Sequence, residues 1–591
     1  MPGRVVDYLL NEISALGVTH LFGVDGANIE DVYDAIFEAD GHPVGVIAKH
    51  EFSAATMADG YARSTGGLGV VAATSGGGAM NLVAGLAESY ASRVPVLALI
   101  GQPPTALEGH GAFQDSSGRA ESIDAVALFT TISRYCARVE DPAELPGQFA
   151  AAVAAARAGG PAVLLLPKDV QQQVMPVEDL SPADAIAPPG LGDRISGSPP
   201  RRDIAPFAVE PTATYGDGSI VDAQAYAELA DTLTTARGTG KVVIIAGDQV
   251  ARNDARTELA DLVDALDAAI GLAPDAKDVY RNSGPGYCGV AGSMGHPELA
   301  EALTAASACL LVGTRMPVTA LAGLDTALAA VPVLSIGALP PFPAARHVTA
   351  TDLAAAIAEL LSRIGTAPSR PAQEQTHLTP MTVPAADGPG LRYRTIVESI
   401  ERRLPAGADI FADAGNTGAS VVHYLRVPAG GRFVVALGMG GMGYAFGAGI
   451  GSAFARHDAA DGPHRTIVIA GDGSFFMHGM ELHTAVEYHL PMTFIVLNNN
   501  AHAMCVTREQ LYYRDRYSFN RFRPTELGAG VAAMFPGLPV RTVTEPGELT
   551  GALDAAFAAT GPALVEILCD PDEIPPFQPF LSTIDASRST P

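Results

Sequence analysis

A single βαβ unit constrains this chain more than any other feature. Arg465-Thr-Ile-Val-Ile-Ala470 and Met492-Thr-Phe-Ile-Val-Leu497 are apolar runs, and Met480 to His489 between them follows a helical pattern. Two strands joined through a helix read as parallel neighbours, since a hairpin cannot connect a parallel pair. The first run leads into Gly471-Asp472-Gly473-Ser474 and the second into Asn498-Asn499-Asn500, which puts Asp472 and, 27 positions on, Asn499 at the strand tips. Open α/β sheets bind ligands at that edge. A carboxylate with an amide carbonyl suits a hard divalent cation, Mg²⁺ or Ca²⁺, of the kind that holds phosphorylated ligands. Glycines 471 and 473 would let backbone amides approach the phosphates. The tetrapeptide recurs at Gly216-Asp217-Gly218-Ser219, where no strand precedes it and Ile244 stands 27 residues past the aspartate. That copy reads as a linker turn.

The same cadence runs through the rest of the chain and predicts an α/β protein of three doubly wound parallel-sheet domains. Residues 1–175 hold the short apolar runs Leu21–Val24, Gly45–Ile47, Gly69–Ala73, Pro95–Ile100 and Ala162–Leu166. A linker rich in Pro, Gly and Ser covers 176–220. The second block, 221–365, has strand patterns at Lys241–Ala246, Ala308–Gly313 and Val331–Ile336, with helices at Thr257–Ala269 and Pro297–Ala306. A second linker, 366–388, leads to the third block, 389–575, and a tail, 576–591. The first and third blocks share length and cadence without a clear sequence repeat.

Composition narrows the function. Acidic residues outnumber basic ones 64 to 37, and a formal charge of −27 argues against nucleic acid and anionic membrane surfaces as partners. The five cysteines form no C-x-x-C pair, so neither zinc nor disulfides are expected, which fits a cytoplasmic protein. Phe433–Ala455 is an uncharged stretch of 23 residues, but seven are glycine, and it reads as a buried loop and core helix.

Two further motifs carry chemistry. His50-Glu51-Phe52 opens a helix after a strand among apolar neighbours, where a carboxyl group could exchange a proton with a nitrogen heterocycle. Gly438-Met439-Gly440-Gly441-Met442-Gly443 spells G-x-G-x-x-G, the dinucleotide fingerprint. The acid that fingerprint requires at the end of a second strand is not supplied by Asp458 or Asp461, which lie in a charged loop. Packing of Met439 and Met442 in a core is the plainer reading.

Taken together, these pieces resemble the thiamine diphosphate (ThDP) dependent 2-oxo acid enzymes, and most closely the acetohydroxyacid synthase (acetolactate synthase) catalytic subunits. The resemblance covers nearly the whole chain. It rests on His50-Glu51 with Met57–Arg63, Thr74–Ala79 with Asn81-Leu82, Gly101-Gln102, Ala112-Phe113-Gln114, Pro167–Gln173, Gly440–Gly443, Gly471–Ser474 and Leu497–Asn499. It implies that the first block binds the aminopyrimidine and the third the diphosphate, with the active site between two subunits of a homodimer or homotetramer. Glu51 then hydrogen-bonds the pyrimidine, and Met442, with Gly440 beside it, matches the residue that holds the cofactor bent. Asp472, Asn499 and the Ala501 carbonyl match the magnesium ligands. Gly471, Gly473, Ser474 and His502 fall among the cofactor-contacting positions, as does the loop Gly415-Asn416-Thr417, which differs from the synthases' usual residues. Phe113 and Gln114 match residues beside the thiazolium and the acceptor.

The implied reaction is decarboxylation of pyruvate or a similar 2-oxo acid followed by transfer to a second carbonyl acceptor. Three departures stand against a simple acetolactate synthase. Phe22-Gly-Val-Asp-Gly26-Ala27-Asn28 replaces the family's Phe-Gly-x-Pro-Gly-Gly-Ala, and Gly26 and Ala27 are expected near the substrate. Arg508 takes the place of a specificity tryptophan, in a chain that has no tryptophan, and could pair with an acidic acceptor. The third departure is in the middle block, where Gly292–His296 and Gly313-Thr314-Arg315 resemble flavin-binding segments but Met316-Pro-Val breaks the pattern, which leaves FAD an open alternative. A non-ligating decarboxylase, a dinucleotide-dependent oxidoreductase and a catalytically silent paralogue are the other readings.

Overall fold

The computed structural model describes residues 3–176, 223–365, 377–457 and 464–588. The Gly216–Ser219 turn, Asp458 and Asp461 lie outside them.

Three parallel six-stranded sheets make up the chain. The first contains β1 (His20–Val24), β2 (Val44–Ile47), β3 (Gly69–Ala73), β4 (Val96–Gln102), β5 (Tyr135–Arg138) and β6 (Pro161–Pro167), in the order β2-β1-β3-β4-β6-β5. The middle sheet contains β7 (Lys241–Ala246), β8 (Ala269–Leu272), β9 (Tyr287–Val290), β10 (Ala306–Val312), β11 (Val333–Gly337) and β12 (Arg346–Thr349), ordered β12-β11-β10-β7-β8-β9. The third contains β13 (Asp409–Ala412), β14 (Phe433–Val435), β15 (Thr466–Gly471), β16 (Met492–Asn498), β17 (Val540–Val543) and β18 (Ala563–Leu568), ordered β14-β13-β15-β16-β18-β17. Counted within each domain, the first and third sheets have the same strand order, 2-1-3-4-6-5. The likeness that cadence only suggested is therefore a likeness of topology. The βαβ unit pairs as expected, with Thr466 opposite Met492 through Gly471 opposite Leu497.

Strands missed from the sequence are short or lie beside a sheet edge. β5 has all four residues only half-buried, so it shows neither an apolar run nor a clean alternation. Two expected helices overran into strands. The helix Arg256–Leu266 stops where Asp267 adopts a left-handed conformation, φ 48°, and Ala269 already belongs to β8. The helix Pro297–Thr304 likewise gives way to β10 at Ala306. Part of the expected tail is a helix, Gln578–Arg588, anchored by buried Phe580.

The first and third domains share a core. Phe52, Met57, Ala58 and Tyr61 of the helix Glu51–Thr65 pack in one apolar cluster with Tyr444, Phe446, Ala448 and Ile450 of the helix Tyr444–His457. The two helices cross on glycines. A Cβ at Gly60 would lie 1.9 Å from the Ala448 carbonyl oxygen, and one at Gly451 would lie 1.9 Å from that of Met57. Backbones this close are reachable only without side chains, which explains Gly447 and Gly451 of the uncharged Phe433–Ala455 stretch. Tyr444 to Phe454 are all buried, and among the described residues no helix is long and apolar enough to cross a membrane.

Candidate active site

Both outer sheets present their expected site residues where strands end. In the first domain, Glu51 opens its helix four residues after β2, and the imidazole of the N-cap residue His50 accepts the Phe52 N–H at 3.0 Å. Its carboxylate accepts from the Asn81 side chain at 2.9 Å. Thr74, just past β3, gathers the neighbouring loops. Its hydroxyl donates to Gln114 Oε1 at 3.1 Å and accepts from the Asn28 N–H at 3.2 Å. A Cβ at Gly26 would meet the Thr74 side chain at 2.8 Å, and one at Gly78 would lie 3.1 Å from Glu51 Oε1. Glu51, Gln114 and Gly26 thus converge on one loop, while Phe113 beside them is 75% exposed.

Asp413, which sequence reasoning missed, organises the third domain. It is fully buried after β13, and its carboxylate accepts from Ala414 N (2.9 Å), Gly443 N (2.9 Å), Ala445 N (3.0 Å) and Ser474 Oγ (2.7 Å). Burial raises its pKa while these four donors oppose the shift. One side chain therefore ties together the loops of Gly415–Thr417, Gly440–Gly443 and Gly471–Ser474.

At β15 and β16 the expected metal-type oxygens are present. Asp472 is 1% exposed, its Oδ2 has no hydrogen-bond partner, and burial raises its pKa to about 6. Asn499 Oδ1 accepts the Ala501 N–H at 3.0 Å and its amide donates to the Tyr393 hydroxyl at 2.8 Å, which fixes how the side chain faces. Asn416 Oδ1 is also buried without a partner. Such acceptor oxygens fit a hard cation, since leaving them unpaired costs about 1–3 kcal/mol each.

Gly473 has a reason beyond amide exposure. A Cβ there would lie 2.5 Å from the His502 ring and 3.3 Å from Met442 Cε, so His502 and Met442 meet over this residue. Thr417 lies beside Gly471, its hydroxyl 3.6 Å from where a Cβ would be. Arg508 is exposed on the helix Ala503–Tyr513 with its guanidinium 5.8 Å over the Phe580 ring.

The two clusters connect across the helix crossing. Glu481, from the third domain, accepts the N–H groups of Lys49 (2.8 Å) and His50 (3.0 Å), immediately before Glu51. His478 stacks on Phe52 at 4.3 Å and closes against Gly443. The G-x-G-x-x-G loop is already occupied. The buried Glu88 carboxylate of the first domain accepts the N–H groups of Gly438, Met439 and Gly440, the donors a dinucleotide diphosphate would need.

The flavin-like segments of the middle domain do other work. His296 stacks on His423 of the third domain at 4.4 Å, and the Met294 carbonyl accepts from His423 Nδ1 at 3.0 Å. Buried Lys277 donates to the Val421, Val422 and Leu425 carbonyls, capping the helix Gly415–Tyr424 whose start carries Asn416 and Thr417. Arg315 lies over Phe342 at 4.2 Å. The cavity beside it, about 290 Å³, is lined by Arg93, Arg252 and Arg315 as well as by Asp248 and half-buried Asp275, whose pKa rises to about 7 through desolvation and the charge of Asp248.

Comparison with known proteins agrees with this arrangement. Residues 3–122 match the thiamine pyrophosphate enzyme N-terminal TPP binding domain, 226–364 the central domain and 413–567 the C-terminal TPP binding domain. A protein of Methanocaldococcus jannaschii named "Probable acetolactate synthase large subunit" is 28% identical, covering 97% of this chain and 93% of its own. The Escherichia coli acetolactate synthase isozyme 2 large subunit is 25% identical over 95% of each chain. The structure of a Rhodococcus jostii thiamine diphosphate-dependent 4-hydroxybenzoylformate decarboxylase superposes with a TM-score of 0.76 at 19% identity, covering 96% of this chain and 99% of that one. With matching domains at both ends of the helix crossing and in the middle, the chain belongs to the thiamine pyrophosphate enzyme family and is an enzyme of that type, close to the acetolactate synthase large subunits.

Proposed function

We propose that this enzyme is a ThDP- and Mg²⁺-dependent carboligase that decarboxylates pyruvate or a similar 2-oxo acid and transfers the remaining acyl group to a second carbonyl acceptor. The observation that carries the reading is the partnerless Asp472 Oδ2 beside Asn499 and Ala501, joined through Asp413 to the Met442 loop. In this reading residues 389–575 hold the diphosphate and metal and residues 1–175 the pyrimidine. When bound, thiamine diphosphate supplies the carbon nucleophile and the electron sink for decarboxylation. Asp472, Asn499 and the Ala501 carbonyl hold Mg²⁺. Gly471, Gly473, Ser474 and the Gly415–Thr417 loop hold the diphosphate. Met442 and His502 shape the space over Gly473. Glu51 holds the proton exchanged at the pyrimidine ring, and its pairing with Asn81 orients it. Gln114, fixed by Thr74, and exposed Phe113 face the acceptor side, with Gly26 and Ala27 nearby.

Phe113, Met439, Phe476 and Met477 are each about half exposed or more; the first two lie on loops of the proposed site and the last two on the helix Asp472–His478. Exposed apolar groups at these positions support a homodimer whose second copy covers them. FAD is left out of the reading. The flavin-like segments are already engaged, His296 on the His423 ring and Arg315 on the Phe342 ring.

The test is incubation of the full-length protein with ThDP, Mg²⁺ and pyruvate, following carbon dioxide and products. Acetolactate formed by the wild type and lost in Glu51→Gln supports ligation. Acetaldehyde as sole product would transfer the assignment to a simple decarboxylase, the second reading, for which the Rhodococcus likeness offers fold alone. Arg508 is proposed as a contact for an acidic acceptor, in which case Arg508→Ala raises that acceptor's KM and leaves pyruvate's unchanged.

A further inference from the structure

The glycine loop Gly438–Gly443 is held at both ends by carboxylates from two different domains. At its start, Glu88 Oε1 accepts from Gly438 N at 3.1 Å and from Ser92 Oγ at 2.8 Å, while Oε2 accepts from Met439 N at 2.6 Å and Gly440 N at 3.2 Å. Glu88 is 2% exposed and belongs to the helix Gly77–Ser92 of the first domain. At the loop's end, Gly443 N donates to Asp413 of the third domain. Only Gly441 and Met442 lie between the two anchors. Gly438 permits the approach, because a Cβ there would fall 2.8 Å from Glu88 Oε1 and from the Ala91 methyl.

Successive backbone N–H groups in such a loop form a concave anion site. A carboxylate that accepts from four donors at once favours this one loop conformation, because hydrogen bonds to an ionised acceptor are stronger than neutral ones. Of the charged groups nearby, Arg63 is placed to feel the Glu88 charge, and its own guanidinium is engaged by Asp59 at 2.6 Å. We propose that Glu88 is a positioning residue for the enzyme: it fixes the conformation of the Met442 loop from the first domain, so that the third domain's cofactor site takes its working shape only when the two domains are docked. This rests on the function proposed above for its catalytic half, whereas the loop anchoring stands on the hydrogen bonds alone.

The experiment uses full-length Glu88→Gln and Glu88→Ala, each checked for native circular dichroism. Gln keeps the side chain's size while losing its charge and one acceptor, so it carries the test should the Ala variant fail to fold. Hydrogen exchange at residues 438–440 of the cofactor-free protein is read first. It is expected to rise about tenfold or more in both variants, with the amides of Tyr444–His457 unchanged. Turnover of pyruvate with saturating ThDP and Mg²⁺ is read next. There kcat falls about tenfold with KM for pyruvate within about twofold, as a lost positioning contact requires. Unchanged loop exchange overturns the anchoring, and faster exchange with unchanged kcat overturns the positioning role. Should the wild type bind ThDP yet consume no 2-oxo acid, the function reading fails, and loop exchange together with ThDP affinity in the variants decides the role of Glu88: an unchanged affinity overturns it, a weakened one supports it.

Discussion

At the scale of single residues, one acid and one glycine shape the proposed site of the third domain. Asp413 gathers four donors from three loops, so Asp413→Ala leaves Ser474, Gly443 and Ala445 without their acceptor. At about 1–3 kcal/mol for each buried donor left unpaired, the variant is expected to lose several kcal/mol in urea denaturation and to bind ThDP poorly by calorimetry. Gly473→Ala acts more locally. Its methyl group would lie 2.5 Å from the His502 ring, so His502 must move. ThDP affinity is expected to fall about tenfold or more while the urea midpoint shifts little, because the strain is relieved by one side chain. A variant that binds ThDP normally would show that the meeting of Met442 and His502 is not needed.

At the scale of elements, the glycines of the helix crossing hold the two outer domains together. Gly451→Ala directs a methyl group at the Met57 carbonyl, which as backbone cannot rotate away, and is expected to cost about 1–3 kcal/mol or more. Gly551→Ala, on the exposed side of the helix Pro546–Phe557 with nothing within 4 Å, is expected to stabilise by about 0.5–1 kcal/mol. Opposite signs for the two alanines in one urea series would separate close approach from helix propensity. The His296–His423 stack gives the middle interface a pH dependence. Burial, opposed by the Met294 carbonyl, pushes His423 down to about 4, and burial with the charges of His423 and Lys277 pushes His296 down as well. Both are neutral in the fold and take up protons on unfolding below the usual value near 6.5. Stability from this pair is therefore complete above about pH 6.5 and is lost as pH falls toward 4. Glu573, raised to about 7 by burial, acts in the opposite direction, so the informative quantity is a difference. The fall in melting temperature between pH 6.5 and 4 should be shallower in His423→Gln than in wild type; equal slopes would remove the histidine pair from the account.

At the scale of the whole molecule, three sheets serve two tasks. The outer pair, alike in strand order, offer their strand tips to one proposed site, and the middle domain supports the third through Lys277. Burial pushes the Lys277 ammonium down to about 7, while the helix carbonyls that accept from it favour the charged form. The purified protein is expected to show no bound flavin in its visible spectrum, and ThDP with Mg²⁺ is expected to shift it toward the dimer in sedimentation velocity. A yellow protein would mean that the middle domain holds a flavin despite the His296–His423 and Arg315–Phe342 contacts.

The sequence by itself determined the α/β class, the βαβ unit with Asp472 and Asn499 at its strand tips, and the helix opened by Glu51. These rest on short-range patterns: apolar runs for buried parallel strands, and glycines and acids where the strands end. The edge strand β5 was illegible because half-buried residues carry no periodic signal. Only the tertiary structure decided which acids support the site. Glu88 lies 350 residues before Gly438, Glu481 lies 431 residues after His50, and Asp413 follows the short strand β13, of which the sequence carries no signal. Likewise, the G-x-G-x-x-G spelling was available to a diphosphate or to a carboxylate. The docking of another domain chose between them, because backbone N–H groups donate to whichever anion the fold brings within reach.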